Sequence, residues 1–226
     1  MHQINERWDV RADYNNARND AELNLLYLFG SPDRTTGLGL LAFPYRSDTS
    51  REQYSIGLRL SGSFDLFGRA HELIVGYSYI EQTYFADSRP VLSAADVGDF
   101  NAWDGSYPEP VYGDPVTDID EKTEQSGLYA ATRLSVTDAL KLVIGGRLAK
   151  WEETGVRYGS AVDYGDSSVF VPYAGALYDI NDVHRVYGSY TEIFKPQDAL
   201  DINRRQLDPI VGRAYEAGLK SAFFEG

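Results

Sequence analysis

The stretch from Tyr54 to Ser61, YSIGLRLS, alternates large apolar side chains with small or polar ones. Its even-numbered positions carry Tyr, Ile, Leu and Leu, whereas its odd-numbered positions carry Ser, Gly, Arg and Ser. Because successive side chains of a strand point to opposite faces, this period of two predicts a strand with one apolar and one polar face. We therefore expect a fold built from amphipathic strands.

The same alternation recurs along the chain, most plainly at Trp8 to Tyr14 and Lys141 to Leu148. The segment Ala214 to Phe223 also alternates, and Gly218 would weaken a helix there. With the first stretch these make about eight predicted strands, the others being Leu73–Tyr84, Gln125–Val136, Val169–Tyr178 and Val183–Phe194. In the N-terminal segment, the alternation set by Trp8 and Val10 does not continue at Leu23. This predicts either a bulge or a strand that continues above a membrane.

Composition supports an all-β fold and narrows the possible partners. The chain has 17 Tyr and 10 Phe but one Met and no Cys, and aromatic side chains pack well on pleated, half-buried strands. The absence of Cys excludes disulfides and thiolate chemistry. A net charge of −13 without a basic stripe argues against a nucleic-acid partner.

Neither a membrane-spanning helix nor an export signal is recognisable in the sequence. No apolar run approaches the roughly 20 residues that such a helix needs. The start, Met1 to Arg7, lacks the basic and apolar regions of a secretory signal, so we expect any signal to lie outside this sequence.

The predicted connections alternate between two classes. Short turns are expected at Asp65–Arg69, Thr137–Ala139 and Asn181–Asp182, and long Gly-, Pro- and Asp-rich loops at 29–50, 85–120 and 196–211, with a shorter one near 157–167. Transmembrane barrels have this asymmetry, with tight periplasmic turns and long extracellular loops. Aromatic residues near strand ends suit the two interfacial girdles of such a barrel: Trp8, Phe64, Phe67, Tyr84, Trp151, Tyr178 and Phe223. The charged residues expected to face its lumen are Arg59, Arg133, Lys141, Arg147 and Glu216.

Several segments in the expected order carry a family resemblance that covers most of the chain. Tyr190–Gln197 followed by Leu207–Lys220 resembles the late-barrel signature of TonB-dependent siderophore receptors, as does Gln125–Leu134 running into Leu140–Arg147. Gly98–Gly105 is similar to a loop of the subgroup that takes up hydroxamate or pyoverdine-type siderophores.

The resemblance implies an outer-membrane receptor and transporter for ferric siderophores, energised through TonB. Its fold would be all-β, an antiparallel meander of about eight strands forming part of a barrel of about 22 strands. Residues 1–226 would be a partial barrel domain, because we find no plug domain, TonB box or C-terminal strands. Such a piece would neither transport alone nor reach TonB except through the missing N-terminal region. Outer-membrane lipid and the ferric siderophore are the expected partners.

A siderophore-binding mouth needs aromatic faces and hydrogen-bond donors for chelate oxygens, and the predicted long loops supply both. The candidate ligand-binding residues are Tyr45, Trp103, Tyr107, Tyr112, Gln197, Arg204 and Arg205. The chelator would hold the iron, so no resident cofactor is expected. The three His residues are too scattered for a protein-built metal site, and the acidic clusters at 114–124 and 198–208 stay unassigned.

Two other function classes remain open. A self-contained eight-stranded outer-membrane barrel with a structural or adhesion role would need paired first and last strands. A soluble carbohydrate-active β protein would need paired carboxylates across a cleft. No catalytic motif was found, and we do not expect an enzyme.

Overall fold

The computed structural model describes residues 2–203 and 205–223, apart from the side chains of Ser167 and Ser168. These residues form a nine-stranded sheet and a separate two-stranded ribbon. The strands are β1 (His2–Asn5), β2 (Trp8–Gly30), β3 (Leu40–Leu66), β4 (Arg69–Ser88), β5 (Val91–Ser93), β6 (Val111–Tyr112), β7 (Val116–Ser135), β8 (Leu140–Arg157), β9 (Ser160–Asp179), β10 (His184–Lys195) and β11 (Ile210–Ser221). β5 and β6 make the ribbon, and every pairing is antiparallel. The predicted all-β antiparallel meander is confirmed.

The strand register gives the sheet one apolar and one polar face. Leu58 pairs with Tyr77, Tyr77 with Leu128, and Leu128 with Leu148, so these side chains share a face, here called the apolar face. Leu128 on this face is 55% exposed. A continuous exposed apolar surface of this kind suits lipid rather than water.

The opposite side, here called the polar face, carries the charges expected to face the lumen. Arg59 pairs with Gly76, Gly76 with Tyr129, and Tyr129 with Arg147, one position along from the apolar row. Register parity places the remaining predicted charges on the same face: Arg133, Lys141 and Glu216.

The strands are much longer than the sequence pattern predicted. β2 has 23 residues and β3 has 27, whereas the apolar face of each is continuous for only about ten, the usual membrane-crossing length. Beyond this apolar band, ion pairs join the two strands on the side of the apolar face, with Arg18–Glu52 at 2.5 Å and Arg46–Glu22 at 2.8 Å. β2 and β3 therefore continue past the band as a two-stranded ribbon that carries ion pairs on this side.

The predicted loop bounds need correction because these extensions take up much of their length. The loop expected at 29–50 is only 31–39, and the one expected at 85–120 is 89–115. The loop expected near 157–167 is a tight turn at Tyr158 and Gly159, both with positive φ. The alternation survives elsewhere: turns at 67–68, 136–139 and 180–183 lie at one end, here the turn end, and the long connections lie at the other, the loop end.

The parity break near Leu23 comes from strand extension. The β2–β3 register is unbroken from Trp8 opposite Gly62 to Gly30 opposite Leu40, so β2 contains no bulge. Leu23, Leu25 and Tyr27 lie on the extension, on the same side as the polar face. Beyond the apolar band, the apolar residues of β2 therefore lie on the side of the polar face instead of the side of the apolar face.

Two of the aromatic residues expected in the interfacial girdles lie on the polar face of the sheet instead of the apolar face. Trp8, Phe64 and Tyr178 have the parity of the apolar face, near the turn end. Tyr84 instead lies on the polar side, where its ring contacts the Arg51 guanidinium at 4.4 Å, and Trp151 is buried there opposite Gln125. The girdle prediction was therefore wrong for Tyr84 and Trp151, because nearness to a strand end does not fix which face a residue occupies.

The sheet is open within the described residues: β1 and β11 are its two edges and do not pair with each other. A self-contained eight-stranded barrel needs that pairing, and the described residues do not form it. No helix in the described part of the chain is long and apolar enough to cross a membrane.

Candidate functional site

The first of two loop assemblies at the loop end joins loop 31–39 to loop 89–115. The Phe100 amide donates to the Gly37 carbonyl at 3.1 Å, and the Asn101 side chain donates to the Arg34 carbonyl at 3.5 Å. Asp99 caps the 3₁₀ helix Phe100–Ala102 by accepting from the Asn101 amide at 2.9 Å. The helix therefore holds the two loops against each other.

Three of the predicted ligand-binding residues belong to this assembly. Trp103 packs against Phe100 with ring centroids 5.6 Å apart, and its Nε1 donates to the Ser106 carbonyl. The Tyr107 hydroxyl donates to the Ala95 carbonyl. Tyr112 lies on β6, where burial raises the pKa of its hydroxyl. The polar atoms of Trp103 and Tyr107 thus stabilise the loop itself and leave their rings for contact.

Tyr45 is not a loop residue. It lies within β3, opposite Leu25 of β2, and is half-buried. The sequence placed it in a loop because the β2–β3 extension has no continuous alternation of apolar and polar residues.

The second assembly is loop 196–209, which folds back on itself and onto β9. Gln197 donates to the Asp208 carbonyl, and its own carbonyl accepts from the Gln206 side chain at 3.0 Å. Gln206 also accepts from the Gly165 amide at 3.2 Å. Loop 196–209 is thereby held against β9.

A tight turn positions Arg205 in the same loop. The Arg205 amide donates to Asp201 Oδ1 at 2.9 Å and lowers the pKa of that carboxyl, while the Asp201 amide donates to the Arg205 carbonyl at 2.8 Å. The Arg205 side chain stays exposed. Arg204, also predicted to bind ligand, lies outside the described residues.

Arg157, at the end of β8, connects this loop to the sheet. Its guanidinium contacts Glu121 at 2.5 Å, Glu153 at 2.7 Å and Asp198 of the loop at 2.8 Å. These three carboxylates raise the pKa of Arg157, with the Glu121 hydrogen bond as the largest cause. The Glu121 side chain is 7% exposed, so the sheet end of this network is shielded from water. Sequence reasoning missed this network, because its members are brought together only by strand register and loop folding.

A second missed feature is a crevice on the polar face beneath the start of loop 196–209. It is lined by Gln125, Arg147, Ala149, Lys150, Trp151, Val171, Phe194 and Pro196 and has a volume of about 170 Å³. Gln125 pairs with Trp151 and Arg147 with Val171, so the register brings its floor together. Only the alternation of β8 could have indicated it, by placing Arg147 and Trp151 on one face.

The described part of the chain brings the predicted residues together in two groups. Trp103, Tyr107 and Tyr112 share the first loop assembly, and Gln197 and Arg205 share the second. No group of three or more His, Cys, Asp or Glu side chains among the described residues is arranged to hold a metal ion.

Comparisons with known proteins place this chain in a family. The family model "TonB dependent receptor-like, beta-barrel" matches residues 2–226. The ferripyoverdine receptor of Pseudomonas aeruginosa is 37% identical over 202 residues, which cover 87% of this chain and 24% of that receptor. The ferric-pyoverdine BN7/BN8 receptor of Pseudomonas putida is 34% identical and aligns with 99% of this chain and 29% of its own length.

Solved structures agree with the sequence comparisons. A Pseudomonas aeruginosa FpvA structure bound to a heterologous ferric pyoverdine matches with a TM-score of 0.89 at 32% identity, covering 100% of this chain and 30% of that chain. The present chain therefore spans 24 to 30% of the length of these relatives. The amphipathic sheet, its asymmetric connections and the family match together show that this chain belongs to the TonB-dependent receptor β-barrel family of the outer membrane.

Proposed function

We propose that this chain is part of an outer-membrane receptor that takes up a ferric siderophore of the pyoverdine class, driven through TonB. The observation that carries the proposal is the match to ferric-pyoverdine receptors along the whole chain, both in sequence and in fold. The two loop assemblies lie at the loop end of the sheet, where the extracellular mouth of such a barrel would be. TonB contact and the inner plug would come from parts of the receptor beyond this chain.

The loops suit recognition of a large polar chelate. Trp103 and Tyr112 offer half-buried aromatic surface, and Arg205 offers an exposed guanidinium on a hydrogen-bonded turn. Rings held by the fold lose little conformational entropy on binding, and guanidinium donors match chelate oxygens. Iron would arrive inside the chelator as cargo, so the chain itself need not supply metal ligands.

An enzymatic role is not proposed. Glu121 and Glu153 both contact the guanidinium of Arg157, so neither is a free carboxylate.

The test is uptake of iron-55 pyoverdines by an iron-starved strain that lacks its own receptors and expresses the full-length parent gene. Replacing residues 96–108 with a short Gly-Ser linker should abolish uptake while the barrel still inserts. As a control, changing the Phe67–Gly68 turn to Asn-Gly at the opposite end should leave uptake unchanged. If the intact parent takes up no ferric siderophore, the proposed function is wrong.

A further inference from the structure

One side of the crevice on the polar face is formed by Arg147, whose guanidinium makes no ion pair with the described residues. The Arg147 side chain lies flat across Gly127, and its Nη2 is 3.4 Å from Ser78 Oγ, a weak hydrogen bond. No carboxylate of the described residues lies within 4.0 Å of this guanidinium. A guanidinium has five N–H donors, so most of those of Arg147 are available to a ligand.

Gln125 adds a second unused polar group beside it. Its side chain is exposed on the polar face, and its amide makes no hydrogen bond to the described residues. Lys150, by contrast, is already paired with Glu152 at 2.7 Å. Within the described residues, the crevice thus offers one side-chain amide without a hydrogen-bond partner and one guanidinium whose only partner is Ser78.

The rest of the crevice is apolar. Trp151 and Ala149 form its floor and are 6% and 7% exposed. Phe194 and Pro196, at the end of β10 and the start of loop 196–209, close the opposite side. An occupant must therefore combine a flat or apolar part with oxygen acceptors on one edge.

The volume limits how much of a ligand can enter. Drug-sized ligands occupy pockets of roughly 300 to 1,000 Å³, and this crevice of about 170 Å³ is smaller. A whole ferric chelate cannot fit, whereas a single arm of one can. Pro196, the residue before Gln197, lines the crevice, so an arm of a chelate bound at the second loop assembly can extend into it.

We propose that this crevice is a subsite for one oxygen-bearing arm of the siderophore, which Arg147 and Gln125 bind through its oxygens while Trp151 and Phe194 pack against its apolar part. This inference rests on the proposed function and adds a position that selects among ferric siderophores. Chelates without an acceptor on that arm gain nothing from Arg147, so the subsite discriminates by arm chemistry.

The experiment measures the affinity of the purified full-length receptor for a panel of ferric pyoverdines and for ferrioxamine B. We expect Arg147→Gln to weaken binding of at least one pyoverdine by about 10- to 100-fold, the range for losing a charged hydrogen bond. Arg147→Lys should recover only part of the loss, because lysine cannot present a planar fork of donors.

Arg133→Gln is the matched control. Arg133 lies on the same face but near the turn end, where it pairs with Glu72, and its variant should bind every chelate within twofold of wild type. If wild type binds pyoverdines and Arg147→Gln binds all of them equally well, the subsite is wrong while the receptor function stands. If wild type binds no ferric siderophore, the proposed function fails first. Heat-modifiable electrophoretic mobility confirms that each variant has folded.

Discussion

Gly37 shows how a single residue joins two loops. Its φ of +68° is in the left-handed region, and an added Cβ would overlap Asp99 Oδ1 and come within 2.8 Å of the Phe100 amide nitrogen. Only glycine allows the backbone of loop 31–39 to approach the 3₁₀ helix this closely. We expect Gly37→Ala to separate the loops, at a local cost of about 1 to 3 kcal/mol. Faster amide exchange at Phe100 would report the separation.

Gly98→Ala is the control for Gly37→Ala, because it introduces backbone strain without a steric contact. Gly98 has a nearly identical φ of +73°, but nothing lies within 4 Å of the Cβ that alanine would add. The control should therefore show only the strain of a left-handed alanine and leave Phe100 protected. Equal exchange at Phe100 in both variants would mean that the close approach of Gly37 does not hold the loops together.

At the scale of elements, Arg157 connects Asp198 of loop 196–209 to two strands of the sheet, through Glu121 of β7 and Glu153 of β8. Arg157→Gln removes the only cation in contact with the shielded Glu121 carboxylate in the described structure and releases the loop at Asp198. Leaving such a group unpaired costs about 1 to 3 kcal/mol. We expect the Leu207 amide, which donates to the Ala199 carbonyl at 2.9 Å, to exchange about 10- to 100-fold faster.

Arg18→Gln is the comparison variant for this network. Arg18 also contacts two carboxylates, Asp20 at 2.7 Å and Glu52 at 2.5 Å, but all three side chains are exposed and distant from loop 196–209. Exposed pairs of this kind contribute little, so Leu207 exchange should not change. Unchanged Leu207 exchange in Arg157→Gln would show that the loop is held by other contacts.

The elements that the sequence predicted well are those with unlike surroundings on their two faces. Tyr54 to Ser61 alternates because one face meets apolar surroundings and the other a polar interior. Past the apolar band, ion pairs lie on the side of the apolar face and Leu23, Leu25 and Tyr27 lie on the opposite side, so the alternation seen at Tyr54 to Ser61 does not continue. Residues 40–50 were therefore predicted as loop although they pair with β2. The crevice and the Arg157 network were not predictable, since register and loop folding unite residues far apart in sequence.

At the scale of the whole molecule, the apolar band sets how the sheet lies in the membrane. It runs across β2, β3, β4, β7, β8 and β9, while the polar face behind it carries glycines covered by large side chains. The Tyr129 ring lies over Gly76 and the Tyr187 ring over Gly218, each from the neighbouring strand. Large side chains lying flat on glycine keep the polar face shallow.

Leu58 tests whether the apolar face contacts lipid, because its side chain is 49% exposed at the centre of the apolar band. Leu58→Arg should destabilise the full-length receptor by about 2 to 4 kcal/mol, the cost of a lipid-facing arginine near the bilayer midplane. Urea titration of receptor refolded into lipid vesicles measures it. Leu58→Ala should cost clearly less, because lipid tails replace the lost contacts and no charge enters the bilayer. An arginine variant as stable as the alanine variant would mean that this face meets water, and the orientation of the whole sheet would have to be reversed.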